Sequence, residues 1–77
     1  MNDHLKQELA LATQAVKDAD NLLRMQEAEV IRMREAGLNT ERAEALLAAY
    51  RDGARYATER KKALEEFAHR KGASAKG

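Results

Sequence analysis

The chain has no cysteine, no proline and no tryptophan, and only one phenylalanine, one serine and four glycines in 77 residues. Without cysteine there is no disulfide framework, no thiolate nucleophile and no zinc ribbon or finger. Without proline, and with Gly72 and Gly77 both in the last six residues, the turn punctuation of a many-stranded β fold is missing. No apolar run approaches the roughly 20 residues that cross a membrane. The start, Met1-Asn2-Asp3-His4, lacks the basic-then-apolar layout of a signal peptide, so a cytoplasmic location is expected. The single serine, Ser74, sits near the end, and Thr13, Thr40 and Thr58 have no histidine close in sequence. Gly37 and Gly53 stand alone, so no glycine-rich phosphate loop exists. No enzyme and no cofactor are expected.

What remains is helix-forming material with little bulk. Hydrophobic residues make up 44%, but 16 of the 34 are Ala. A chain of this length buries only about 60% of its unfolded surface, and an alanine-rich core recovers less per residue. The expectation is an all-α chain that needs a partner. The net charge is +1, which demands no polyanion, yet the halves differ. Residues 1–38 carry five basic and seven acidic side chains, and residues 39–77 carry nine and six. An acidic and a basic segment of similar length suit antiparallel packing.

One break divides the chain, at Gly37-Leu38-Asn39-Thr40. Gly37 can take the left-handed position that ends a helix, with Met33 and Leu38 flanking it as in a Schellman motif. Asn39 or Thr40 can cap the next helix, with Glu41 and Glu44 at its positive end. The spacing predicts helices over about 3–36 and 41–70, with Asn2 or Asp3 capping the first and a flexible tail over 71–77. In the first segment Leu5, Leu9, Ala12, Val16, Ala19, Leu23, Gln26, Val30 and Met33 alternate four and three apart. In the second, Ala43, Leu47, Tyr50, Ala54, Ala57, Lys61, Leu64 and Ala68 do the same. These are a/d seams of coiled-coil type. Folding at Gly37 faces Met33 with Ala43, Val30 with Leu47, Gln26 with Tyr50, Leu23 with Ala54 and so on to Leu9 with Ala68. Large meets small in half of these layers, Gln26 and Tyr50 are placed to hydrogen-bond, and Lys61 can send its ammonium to the edge.

Beside the second seam runs another stripe, Leu46, Ala49, Gly53, Tyr56, Arg60, Ala63 and Phe67, with a thinner counterpart in Leu11, Ala15, Leu22 and Met25. A lone hairpin leaves such a stripe in water, and a patch of that kind marks an interface. The row Ala45, Ala49, Gly53, Ala57 would let another backbone approach closely; the competing reading is a weak or kinked helix at Asp52-Gly53. The expected assembly is a homodimer forming an antiparallel four-helix bundle, with Leu46, Ala49, Gly53, Tyr56, Phe67 and Leu22 at the interface. Its expected role is a non-enzymatic interaction, adaptor or regulatory module that binds an unidentified protein partner and no membrane.

Three other constellations bear on chemistry. Glu66-Phe67-Ala68-His69 has the Glu-x-x-His spacing of di-iron bundles, but the seam turns Glu66 and His69 outward. His4 and His69 meet at the open end near Glu8 and Glu65, on fraying helix ends that fix metal geometry poorly; no metal site is expected. Arg51, Arg55 and Lys62 share one side of the second helix and could track phosphates in a nucleic-acid-binding alternative. Acidic Asp52, Glu59, Glu65 and Glu66 interleave with the basic residues there.

The stretch from Gly37 to Leu47 resembles a family of short, uncharacterised bacterial helical-hairpin proteins. They carry a Gly-x-(Asp/Asn)-Thr turn followed by an Ala-x-x-Leu-Leu helix start. Gly37, Asn39, Thr40, Ala43, Leu46 and Leu47 are the matching positions, and the similarity extends over roughly residues 15–66. It implies a small soluble bacterial hairpin protein and brings no activity, cofactor or catalytic residue.

Overall fold

The structure is a computed structural model that describes the backbone of residues 3–76 and the side chains of residues 3–70. Two helices, α1 (Asp3–Glu35) and α2 (Glu41–Lys76), pack side by side, and there is no strand among the described residues. Helix α2 continues six residues past the expected end at 70. Nothing between Lys71 and Lys76 forbids helix: no proline intervenes, and Ala73 and Ala75 offset the low propensity of Gly72. Asn2 and Gly77, on which parts of the cap and tail expectations fell, lie outside the described residues, as do the side chains of 71–76.

The turn is a Schellman motif. Leu38 N–H donates to the Met33 carbonyl at 2.9 Å and Gly37 N–H to the Arg34 carbonyl at 3.0 Å, the paired 6→1 and 5→2 bonds that satisfy orphan helix carbonyls. Gly37 has φ +74°, and a Cβ there would meet no atom within 4 Å. Its requirement is therefore purely conformational. Gly37→Ala is expected to cost about 1 kcal/mol, visible as a lower denaturation midpoint with the m-value unchanged; an equally stable variant would show that the turn can relax.

Both candidate caps are used. Thr40 accepts the first helical bond of α2, from Glu44 N–H at 2.8 Å, while the Asn39 side-chain oxygen accepts from Glu41 N–H at 2.9 Å. The Thr40 hydroxyl turns to the Glu44 carboxylate, which Arg34 of α1 also reaches at 3.3 Å. The Thr40 hydroxyl, and after it Arg34, hold Glu44 below its ordinary value of 4.5. A carboxylate lowered in the folded state contributes stability above its unfolded value and loses it as pH falls through the folded one. Melts followed by circular dichroism from about pH 5 downward should therefore show a smaller acid loss in Glu44→Gln than in the parent chain. Equal slopes would remove Glu44 from the acid response.

Each expected seam position, from Leu5 to Met33 and from Ala43 to Ala68, is buried or half-buried. Among the described residues the buried ones are Ala12, Val30, Ala43, Leu47, Ala54 and Ala57, four of which are Ala, so the interior is narrow. Lys61 is half-buried with its ammonium 3.9 Å from Glu65, which lets its stem cover the seam while the charge stays near water.

The pairing of layers differs from the expected one. Gln26 donates its amide to the Ala43 carbonyl at 2.9 Å, seven positions nearer the turn than Tyr50, its expected partner. Arg60 reaches Glu8 at 3.1 Å, where the expected pairing would set it beside Lys17. Val30, Ala43 and Leu47 form the buried cluster, with Leu23 and Met33 packed on it. These contacts fit a pairing about one helical turn tighter: Val30 with Ala43, Gln26 with Leu47, Leu23 with Tyr50, Ala19 with Ala54, Val16 with Ala57. The reason lies in the steps. In antiparallel helices this pairing sets every four-residue step of α1 against a four-residue step of α2, and three against three, so successive layers stay level. The expected pairing opposed three-residue to four-residue steps throughout.

The product is a rod of 62 × 15 × 13 Å with a radius of gyration of 17.7 Å, against about 11.5 Å for a globule of this length.

Candidate functional site

Each surface residue next to a seam either precedes or follows a seam residue in the chain. At 100° per residue these two sets fall on opposite sides of a helix. In an antiparallel pair the preceding positions of both helices then share one face of the hairpin, and the following positions share the other. Two cross-helix ion pairs bear this out. Glu8 precedes Leu9 and Arg60 precedes Lys61, and they pair at 3.1 Å. Arg34 follows Met33 and Glu44 follows Ala43, and they pair across the opposite side at 3.3 Å.

This division sorts the exposed bulk of the molecule. The large apolar side chains left exposed are Leu11, Leu22, Met25, Ile31, Leu38, Leu46, Tyr56 and Phe67. Leu38 belongs to the turn and Ile31 follows Val30. The other six all precede seam residues, so three from α1 and three from α2 share a single face. The exposure is substantial: 66% for Leu11, 69% for Met25 and 67% for Tyr56. Ala15, Ala49, Gly53 and Ala63 are exposed on the same face. The two stripes read separately from the sequence are therefore one surface, a fact that needs the antiparallel geometry to be seen. From Phe67 to Leu46 that surface spans 21 positions of α2, or about 32 Å.

Helix α2 runs unbroken through Gly53, and a Cβ placed there would meet nothing within 4 Å. The hairpin itself makes no use of its smallness, although glycine inside a helix costs about 1 kcal/mol relative to Ala. Of the small-residue row, Ala45 and Ala49 are exposed with Gly53, whereas Ala57 belongs to the buried seam.

Charge is also divided along this face. On α1 the preceding positions hold Glu8, Asp18, Glu29 and Arg32; on α2 they hold Arg42 and Arg60 and no acid. Glu29 is bound by Arg32 at 2.6 Å, which lowers the Glu29 carboxyl from its ordinary value, and Asp18 accepts from the Gln14 amide at 2.9 Å.

The opposite face carries Arg51, Arg55 and Lys62, the residues of the nucleic-acid alternative, each immediately following a seam residue. Arg55 is bound to Asp52 at 2.9 Å. Arg51 lines a shallow groove of about 400 Å³ with Glu27, Val30, Ile31, Arg34, Glu44 and Leu47. The basic side chains thus share their face with Glu27, Glu44 and Glu65.

At the open end, Glu66 and His69 line a surface groove with Lys62, Glu65 and Arg70, on one helix and away from the seam. Glu8 is taken up by Arg60 and Glu65 approaches Lys61, so each of these carboxylates faces a cation rather than a histidine. Among the described residues no group of three or more His, Cys, Asp or Glu is placed to hold a metal ion, and no helix is long and apolar enough to cross a membrane. Compared with protein-family models, curated proteins and solved structures, the chain finds no match.

Proposed function

We propose that the hairpin is a non-enzymatic interaction module that pairs with a second copy through its apolar face, closing four helices around a shared core. In this reading the assembled bundle presents its remaining surface to a protein partner, as an adaptor or regulator. The observation that carries the pairing is the gathering of Leu11, Leu22, Met25, Leu46, Tyr56 and Phe67 on one face. Scattered apolar residues are ordinary on a protein surface, but a contiguous patch of this size marks an interface. The exposed area supports it too: 6075 Å², against about 4700 Å² for a folded monomer of this mass. Covering the patch on two copies, about 32 Å by two helix widths on each, would bury roughly 1,200 Å² in total, within the range of stable interfaces.

Light scattering at micromolar concentration should return twice the chain mass of 8.6 kDa. A fully helical species of 8.6 kDa at that concentration would end the proposal.

A further inference from the structure

Two copies can lay these faces together in two symmetric ways. A two-fold axis along the rod keeps both turns at one end and sets α1 of one copy over α2 of the other. An axis across the rod sends the turns to opposite ends and sets α1 over α1 and α2 over α2. We infer that the copies pair with their turns at the same end. The inference rests on the pairing proposed above and adds its orientation.

The first ground is shape. In the observed layer pairing Leu22 of α1 stands between the levels of Ala49 and Gly53 of α2, Met25 shares its layer with Leu46, and Tyr56 of α2 stands level with Ala15 and Asp18 of α1. At the levels of Leu22 and Tyr56 a raised helix lies beside a hollow one, and the raised side changes over between the two. Setting α1 over the partner's α2 drops Leu22 into the hollow at Ala49 and Gly53 and Tyr56 into the hollow at Ala15, and lays Met25 against Leu46. This gives Gly53 a use that the single hairpin does not, since its Cβ position is open there. An axis across the rod at the centre of the patch brings Leu22 near the partner's Leu11 instead, bulk against bulk.

The second ground is charge. The α1 side of the face holds Glu8, Asp18 and Glu29 against one base, Arg32, and the α2 side holds Arg42 and Arg60 and no acid. The same-end arrangement lays the acidic side over the basic side twice, with Glu29 near the level of the partner's Arg42. The opposed arrangement lays acidic over acidic and basic over basic and brings Asp18 within a turn of its own copy, and like charges brought together across an interface are strongly disfavoured.

The absence of cysteine allows a clean test. Glu35 is exposed close to the turn, and no hydrogen bond or ion pair ties its side chain. Glu35→Cys, carrying a nitroxide spin label, reports the distance between its two copies by pulsed dipolar spectroscopy. The same-end pairing predicts a distance near 30 Å, set by the bundle's diagonal and the label arms. The opposed pairing predicts about 55 Å, because 36 positions then separate the labels along the axis. A distribution centred on the longer value would overturn this orientation while leaving the pairing intact. A trace with no dipolar modulation, at a concentration where light scattering gives the monomer mass, would overturn both.

Discussion

Leu47→Ala should cost about 2–3 kcal/mol and lower the melting temperature by roughly 10–20 °C. Leu47 is only 9% exposed and sits in the buried cluster with Val30 and Ala43, with Leu23 and Met33 packed against it. Truncation removes apolar contact from a layer whose other members are already small or shared, so the neighbours have little material with which to refill the space. A chain of this size has about 4–11 kcal/mol of total stability at the ordinary rate per residue, so the loss is a large part of it. Leu11→Ala supplies the contrast. Leu11 is 66% exposed, and within one hairpin its removal should change stability by less than about 0.5 kcal/mol. Calorimetric melts of both variants at two protein concentrations separate the cases. The Leu47 effect should persist at the lower concentration, whereas any Leu11 effect should fade there with association. Equal losses for the two would mean that the seam and the outer face are not energetically distinct.

On the outer face the largest expected effects belong to Ala49→Glu and Gly53→Leu, and they are informative because they act on folding and association differently. Ala49→Glu introduces a carboxylate where the partner's Leu22 is placed, and an unpaired charge buried at an interface costs about 3–5 kcal/mol. Association should weaken by at least about 100-fold while each hairpin keeps its helicity, since Ala49 is exposed in the single chain. Gly53→Leu should weaken association by filling the hollow. In the hairpin alone, however, it removes a helix-interior glycine at a site with open space, which should raise monomer stability by up to about 1 kcal/mol. Sedimentation equilibrium read together with chemical denaturation below the dissociation midpoint measures both quantities. A Gly53→Leu chain that is less stable as a monomer would contradict the role assigned to this glycine. Unchanged association in both variants would remove the apolar face from the interface.

Much of this molecule is legible in its sequence. The alternation of three and four from Leu5 to Met33 and from Ala43 to Ala68 identified the seams, because burial repeats with the helix and few other periods survive so many turns. Gly37 identified the turn, because a left-handed residue after a long helix is nearly always glycine or asparagine. The pairing of layers was harder to read. Counting outward from the turn assumes that the helices separate symmetrically about Gly37, and this loop does not. The small layers, such as Ala19 with Ala54, also impose little preference for one offset over the next. The signal that could have found the true pairing was the match of step lengths, four against four, together with the opposite charges of Glu8 and Arg60 at equivalent positions. The candidate surface was half visible. Both stripes could be read along their own helices, but their union on one face follows from the handedness of the antiparallel pair, which a one-dimensional pattern does not express.

The 62 Å length of the rod against a cross-section of 15 × 13 Å bears on how the molecule moves through solvent. A body more than four times longer than it is wide drags more water than a sphere of equal volume, so its Stokes radius exceeds that of a globular chain of 8.6 kDa. On a gel-filtration column calibrated with globular standards, a single hairpin will elute early enough to be mistaken for a compact pair. Two copies stacked face to face thicken the rod without lengthening it, so dimerisation should shift elution by less than a doubling of mass suggests. Rotational diffusion carries the clearer signature. The hairpin tumbles slowly end over end and quickly about its long axis, so amide relaxation rates should depend on how each N–H vector lies to that axis. Helical N–H vectors lie nearly along it, so the amides of both helices should share closely similar rates.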